Sequence, residues 1–388
     1  MLYGEPVTKK PIRWGMVGGG IGSQIGYIHR SSALRDRSFQ LVAGAFDIVP
    51  ERGKEFGTQL RVDVERCYEN YSEMFSAESR RADGIQAVSI ATPNSTHFEI
   101  SKSALQYGFH VICEKPLCFT TEEADELVAL SREKHLIVGV TYGYSGHQMI
   151  RQAREMVYYG DIGEVRLVQM QFAHGAYNWP IEKENASAAW RLDPKSAGPT
   201  FVLGDVGTHA LYLGELICPD LKIKRLLCSR QSFVEERKLE DNAYVLMQYD
   251  NGAVGTLWAS AMNSGSVHGQ KIRVVGSKAS IEWWDERPNQ LTYEVEGKPV
   301  QILERGAAYL YPSALEEDRM SCGHAEGLFE SWSNIYRRFA MAMDTASHKQ
   351  TSEDSIWYPS VNDGAFGIHW IDSCVKSADA GEVWVDFE

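Results

Sequence analysis

Residues 12–28 read Ile-Arg-Trp-Gly-Met-Val-Gly-Gly-Gly-Ile-Gly-Ser-Gln-Ile-Gly-Tyr-Ile, and the order of residue types in this stretch decides the fold. The apolar run 12–17 is short and suits a buried strand. It ends in the cluster Gly18-Gly19-Gly20-Ile21-Gly22-Ser23, after which Ile25 and Ile28 fall at helical spacing. A strand that feeds a glycine turn and then a helix aims backbone N–H groups and the positive helix end at a pyrophosphate. In that arrangement Gly18 permits the tight turn, Gly20 lets the phosphates approach, Ser23 takes the third position, and Ile21 and Gly22 complete the turn around the cofactor. Plain flexibility of a glycine-rich loop is the alternative. The place of the cluster, after the first strand and at the head of a helix, favours a dinucleotide.

Working outward, a second apolar run at 41–46 ends at Asp47. A carboxylate at the end of the second strand accepts the ribose hydroxyls of NAD and repels the extra phosphate of NADP; a simple helix cap is the competing role. Arg52 lies close enough to pair with a 2′-phosphate, so NAD is favoured with NADP as the alternative. Pro50 and Glu51 suit a first helical turn. Helix is expected at 71–79, 98–107 and from Thr120-Thr121-Glu122-Glu123, a capping box, and strand at 87–91, 111–113 and 136–141. Strands alternating with helices at this spacing imply a doubly wound parallel sheet. Past residue 144 the period changes: one helix at 148–158 is followed by alternating stretches at 164–174, 243–250, 253–260 and 271–275, the pattern of a mostly antiparallel sheet with one packed face. The expected fold class is therefore α/β, with an amino-terminal Rossmann domain over 1–145 and a carboxy-terminal α/β domain over 146–388.

Composition narrows the function. The chain has 388 residues, of which 44% are hydrophobic and 23% charged, as in an ordinary globular protein of two domains. A net charge of −13 argues against nucleic acid as a partner. No apolar run is long enough for a transmembrane helix, and residues 1–10 lack the core of a signal peptide. Seven cysteines with no CxxC pair read as reduced thiols and not as a disulfide framework or a zinc site. A cytoplasmic enzyme without a metal is the expectation.

Two further turns follow parallel strands, Ala91-Thr92-Pro93-Asn94 and Glu114-Lys115-Pro116. Carboxyl ends of such strands face the ligand crevice. Thr92, Pro93 and Asn94 are expected along the cofactor with His97 behind them, where helix capping is an equal role for the histidine. Glu114 and Lys115 are expected to reach toward the nicotinamide ribose and the reacting carbon. In Gly204-Asp205-Val206-Gly207-Thr208-His209, the aspartate and histidine stand at i and i+4, one face of an α-helix. An imidazole titrating near neutrality can take and return a hydroxyl proton, though one histidine at a helix start is more often structural.

In this order the elements resemble the Gfo/Idh/MocA family of oxidoreductases, named for glucose–fructose oxidoreductase and inositol dehydrogenase. The resemblance spans almost the whole chain and is strongest in the glycine turn, in 91–94, in Glu114-Lys115-Pro116 and in Asp205 to His209; Trp190-Arg191-Leu192-Asp193-Pro194 looks like the family's lead-in to the last motif. It implies a Rossmann domain followed by an α/β domain with a large open sheet, and homodimers or homotetramers formed through that sheet. It implies a sugar or polyol substrate whose hydroxyl Lys115 orients and polarises, with His209 as acid and base and Asp205 assisting. Tyr144, with plain packing as its alternative, Trp190 and Arg191, where an aromatic face suits a sugar ring, and His324, with surface loop as its alternative, are further candidates for the substrate pocket. Asp241-Asn242 resemble polar positions of longer members. One departure is the long link from Gly22 to Asp47, with 31–38 as extra residues. The same site residues suit net oxidation of a secondary alcohol to a keto-sugar or inosose, or a redox-neutral glycoside cleavage that uses NAD transiently. Keeping both Lys115 and His209 argues against a non-catalytic sugar sensor.

Overall fold

The computed structural model describes residues 4–347 and 356–387, so residues 1–3 of the amino-terminal stretch lie outside it. The chain forms two compact units, Tyr3–Gly143 with Trp332–Phe366, and Tyr144–Ser331 with Gly367–Glu388.

In the first unit β1 (Ile12–Gly18), α1 (Gln24–Arg35), β2 (Phe39–Ala45), α2 (Pro50–Gln59), α3 (Tyr71–Glu78), β3 (Ala87–Ala91), α4 (His97–Gln106), β4 (His110–Cys113), α5 (Thr121–Lys134) and β5 (Val138–Val140) alternate. The five strands are parallel in the order β2-β1-β3-β4-β5. The chain leaves β1 to one side and comes back to its other side, so the carboxyl ends of β1 and β3 flank the topological switch point where ligands bind. Gly18 pairs with Ala91 there, and the Gly19 N–H donates to the Ala91 carbonyl at 3.1 Å. The capping box at Thr120 and Glu123 forms as the sequence indicates. β5 is shorter than expected. His135 closes α5 in the left-handed conformation, Leu136 donates back to Ser131, and Val140 donates to the Pro359 carbonyl.

Trp332–Phe366 joins this unit for a packing reason. Tyr336 meets Trp14, His29 and Phe39 edge-on, with ring centroids 5.5–6.3 Å apart. Gly143 lies so close to the Trp332 indole that a Cβ there would sit 1.9 Å from its Nε1.

The second unit contains α6 (Gln148–Tyr158), β6 (Val165–Ala173), the short α7 (Ala186–Ala189) and α8 (Pro194–Ala197), a π turn at Leu203–Gly207, and α9 (Thr208–Ile217). Strands β7 (Ile223–Gln231), β8 (Asn242–Tyr249), β9 (Val254–Ser260), β10 (Gln270–Gly276), β11 (Ala279–Trp284), β12 (Gln290–Val295) and β13 (Gln301–Glu304) follow. Then come α10 (Pro312–Leu315), α11 (Leu328–Ser347), which passes into the first unit at Trp332, α12 (Val361–Asp379), which returns to the second at Gly367, and β14 (Val385–Asp386). The nine strands form one sheet, β13-β12-β11-β10-β6-β9-β8-β7-β14, antiparallel except where β6 meets β9. One face is covered by α6 and α9. Val168, Met170 and Phe172 are buried against it, and Gly214 lets α9 approach until a Cβ would meet Met170 Sδ at 2.6 Å. The alternate residues Leu167, Tyr244, Leu246 and Val254 are exposed, which is the period-two pattern of a sheet with one open face.

Candidate active site

The glycine turn is shaped by backbone, not side chains. Gly18, Gly19 and Gly22 have φ of 75°, 68° and 79°, values that favour glycine. Gly20 is needed for space, since a Cβ would stand 2.5 Å from the Phe46 carbonyl oxygen. The close helix-to-turn packing ascribed to the third position is supplied three residues later by Gly26, where a Cβ would meet Gly19 Cα at 2.5 Å. Ser23 is the N-cap of α1, its hydroxyl accepting from the Gly26 N–H, and Ile21 is exposed on the turn. Arg30 donates to the Gly19 carbonyl at 2.5 Å and holds the turn in place. A helix start and a cradle without side chains fit the pyrophosphate of a dinucleotide. At the end of β2, Asp47 accepts from the Val49 N–H through Oδ1, and its Oδ2 is 3.0 Å from Arg52 Nη2.

At the other lip of the switch point, Thr92 and Asn94 are half-buried and Pro93 is exposed. His97 is fully buried. Its Nδ1 is 2.8 Å from the Pro116 carbonyl and its Nε2 3.0 Å from that of Thr92, so the ring ties the two turns together with no edge left for a ligand. Burial depresses its pKa against those two carbonyls. Glu114 is also turned inward: Oε1 meets His29 Nε2 at 3.0 Å and accepts from Thr141 Oγ1 at 2.5 Å. Burial would raise this carboxyl, but the bonds and charge from His29, with Thr141 and Lys115, hold it below its usual range. A buried chain continues from His29 Nδ1 to Tyr336 Oη at 2.5 Å, on to Ser89 Oγ at 2.8 Å and to Trp14 Nε1 at 2.9 Å. It braces the strand end from which Lys115, half-buried, emerges.

In the second unit the expected α-helical face at Asp205 and His209 is replaced by the π turn Leu203–Gly207, with α9 starting at Thr208. The wider turn is held from outside by Glu240, which accepts from the N–H groups of Phe201 and Leu203; single π turns of this kind recur at functional sites. Asp205 Oδ2 is 3.6 Å from Arg191 Nε, and Arg191 stacks 4.4 Å over the Trp190 ring, so these three candidates converge. His209 is buried and receives the Tyr144 ring edge-on at 4.9 Å. His324 is exposed on a loop and bonds within it to Ser321. Asp241 accepts from Phe233, Val234 and Arg237, and Asn242 bonds Gln231 and Trp258, so both serve the framework.

The structure adds residues that the sequence did not single out. Tyr144 Oη is 3.0 Å from His268 Nε2, and His268 Nδ1 is 2.9 Å from Asp285 Oδ2. His147 Nε2 lies 3.6 Å from the other Asp285 oxygen. Burial would raise the Asp285 carboxyl, yet the bonds and charges of the two histidines outweigh it and hold it well below its usual range. Phe172 packs against His268 with ring centroids 4.5 Å apart and planes tilted by 49°, and His174 lies beyond it. Burial lowers the His174 pKa, opposed by Asp205. The group is an acid–base cluster on the covered face of the large sheet. Among the described residues no group of histidine, cysteine, aspartate or glutamate is arranged to hold a metal ion.

Two family models match this chain, an oxidoreductase-family NAD-binding Rossmann fold over residues 12–142 and the oxidoreductase-family carboxy-terminal alpha/beta domain over residues 154–387. The chain belongs to the Gfo/Idh/MocA oxidoreductase family. Residues 12–142 of its first unit are therefore the family's NAD-binding domain, and NAD is the cofactor. An inositol dehydrogenase homologue from Azotobacter vinelandii, solved as its NAD+ complex, is 60% identical over 100% of both chains, with a TM-score of 0.99. The same homologue solved with NADH and myo-inositol matches at 58% identity over 100% of both chains, TM-score 0.96. An uncharacterized oxidoreductase of Bacillus subtilis, YfiI, is 56% identical over 100% of both chains. Among the described residues no helix is long and apolar enough to cross a membrane.

Proposed function

We propose that this chain is a cyclitol dehydrogenase that oxidises a secondary hydroxyl of myo-inositol or a close relative to the ketone. The observation that carries the reading is full-length likeness to the Azotobacter vinelandii homologue bound to NADH and myo-inositol, a ring bearing only secondary alcohols. Bound NAD supplies the hydride acceptor. Lys115 donates a hydrogen bond to the reacting hydroxyl and stabilises the alkoxide as it develops. An imidazole nitrogen of His209 takes the hydroxyl proton and returns it in the reverse direction. Arg191 holds Asp205 at 3.6 Å so that its carboxylate accepts from neighbouring ring hydroxyls, and the Trp190 face shields the site from water.

Tyr144, and the histidines and aspartate behind it, line the substrate side in this reading. The open sheet face at Leu167, Tyr244 and Leu246 is the surface we assign to self-association, since contiguous exposed apolar residues mark such interfaces. We assign the protein to the cytoplasm, where its thiols, six of them buried and Cys322 exposed, stay reduced.

The test is NADH formation by purified protein with NAD and a panel of inositols, free hexoses and glycosides, repeated with NADP. Turnover with cyclitols supports the reading. Turnover with hexoses alone overturns it, and tight NAD binding with no net reduction across the panel points instead to redox-neutral chemistry.

A further inference from the structure

We propose that Glu240 is a titrating positioning residue of this site: by ionising, it tightens its hold on the backbone that leads into the π turn and so sets the placement of Asp205 and His209. The inference rests on the reading above that these two side chains serve catalysis.

Glu240 stands in the link ahead of β8, at 6% exposure. Its Oε1 accepts from Phe201 N–H at 3.0 Å, two residues ahead of the turn that carries Asp205, and from Leu203 N–H at 3.1 Å, the first amide of that turn. Its Oε2 is buried without a hydrogen-bond partner, an expensive state for a carboxylate that is always charged. A neutral carboxyl loses that penalty but accepts more weakly from the two amides, because charge-assisted bonds are roughly twice as strong. A charged carboxylate at the start of a helical segment also faces its positive end. The side chain therefore has two states that differ in how firmly they grip the turn.

The surroundings permit exchange between them. Glu240 lines a polar recess of about 280 Å³ with Arg230 of β7, Lys238 of its own loop, and Asp379 and Glu382 at the end of α12. The thiol of Cys374 on α12 is near enough for the Glu240 charge to act on it. Arg230 is itself paired with Asp379 at 2.5 Å. Burial pushes the Glu240 carboxyl up to about 7, opposed by the Leu203 amide and the Arg230 charge.

The variant that decides is Glu240→Gln, whose Oε1 keeps both amide bonds and whose charge is absent at every pH. Two readouts are expected. First, kcat with NAD and myo-inositol is roughly five- to tenfold lower than wild type on the alkaline side of neutrality, the worth of charge assistance, and the acid limb of the kcat profile loses one proton of slope while KM for NAD is unchanged. Second, the raised carboxyl pKa means that stability is present below the ordinary carboxylate range and is lost as pH rises through about 7. The wild-type unfolding midpoint should thus fall relative to Glu240→Gln as pH rises from the ordinary carboxylate range to about 7, and level off above it. Superimposed kcat profiles with both proteins folded would overturn the proposal, as would parallel stability profiles.

If Glu240→Gln does not fold, Arg230→Gln replaces it. Loss of that cation should move the neutral inflection upward, and an unmoved inflection overturns the proposal. Absence of NADH formation by the wild type is a failure of the functional reading instead, and the stability comparison then still decides whether Glu240 titrates.

Discussion

Arg52 Nη2 lies 3.0 Å from Asp47 Oδ2, so the side chain able to recognise a 2′-phosphate is committed to the carboxylate able to recognise a ribose. Removing the carboxylate does two things: it deletes the ribose acceptor we propose, and it frees the cation.

Asp47→Ala is therefore expected to weaken NADH binding by about tenfold or more, the loss of a charge-assisted bond, and to weaken NADPH much less. Arg52→Ala alone should leave the preference for NADH in place, and the double variant should bind both cofactors weakly. Titration of nicotinamide fluorescence with each reduced cofactor measures the ratio. An NADH/NADPH ratio unchanged in Asp47→Ala would remove Asp47 from the ribose site.

Glu114 and Lys115 are neighbours with opposite exposure and, we argue, opposite tasks. Glu114→Ala leaves Thr141 and the fully buried His29 without their shared acceptor, a change expected to cost on the order of 2–4 kcal/mol. Lys115→Ala removes a half-buried side chain at a strand end, with little effect on folding. Urea unfolding and turnover, measured on both, separate them. Glu114→Ala should lose stability first, and Lys115→Ala should lose orders of magnitude in kcat with its unfolding midpoint and NADH affinity nearly intact. Equal loss of turnover and of cofactor binding in Lys115→Ala would contradict its catalytic role.

What could be read from the sequence was local. The order strand, glycine turn, helix at 12–28 and the Thr120–Glu123 box are set by residues within a few positions of one another, and both form as expected. The π turn was not legible, because the residue that grips it, Glu240, lies 37 and 39 positions beyond the amides it accepts from. The His268–Asp285–His147 group was missed for the same reason, since each residue sits alone in sequence and the three meet only in the fold. Residues 332–366 carry no signal that they return to the first sheet, since the bond that fixes them there, Tyr336 to His29, closes across 307 positions. Long loop closures are written in shape complementarity, which a period in hydropathy does not record.

His110 opens β4 with 8% exposure, and its Nδ1 accepts from the Ile137 N–H at 2.9 Å. That bond needs the neutral ring, because a protonated Nδ1 would meet the amide donor to donor. Burial accordingly lowers the His110 pKa from an ordinary 6.5 to about 4. The folded pKa is depressed, so the associated stability is present above pH 6.5 and is lost as pH falls through about 4. The shift corresponds to roughly 3 kcal/mol. His110→Asn places an amide oxygen where Nδ1 was and has no proton to gain, so it should flatten the acid side of the stability curve by most of that amount. Urea midpoints at about pH 7 and about pH 4.5 for the two proteins measure the effect. A wild-type and variant that lose stability in parallel would assign the acid sensitivity of the Rossmann unit to another group.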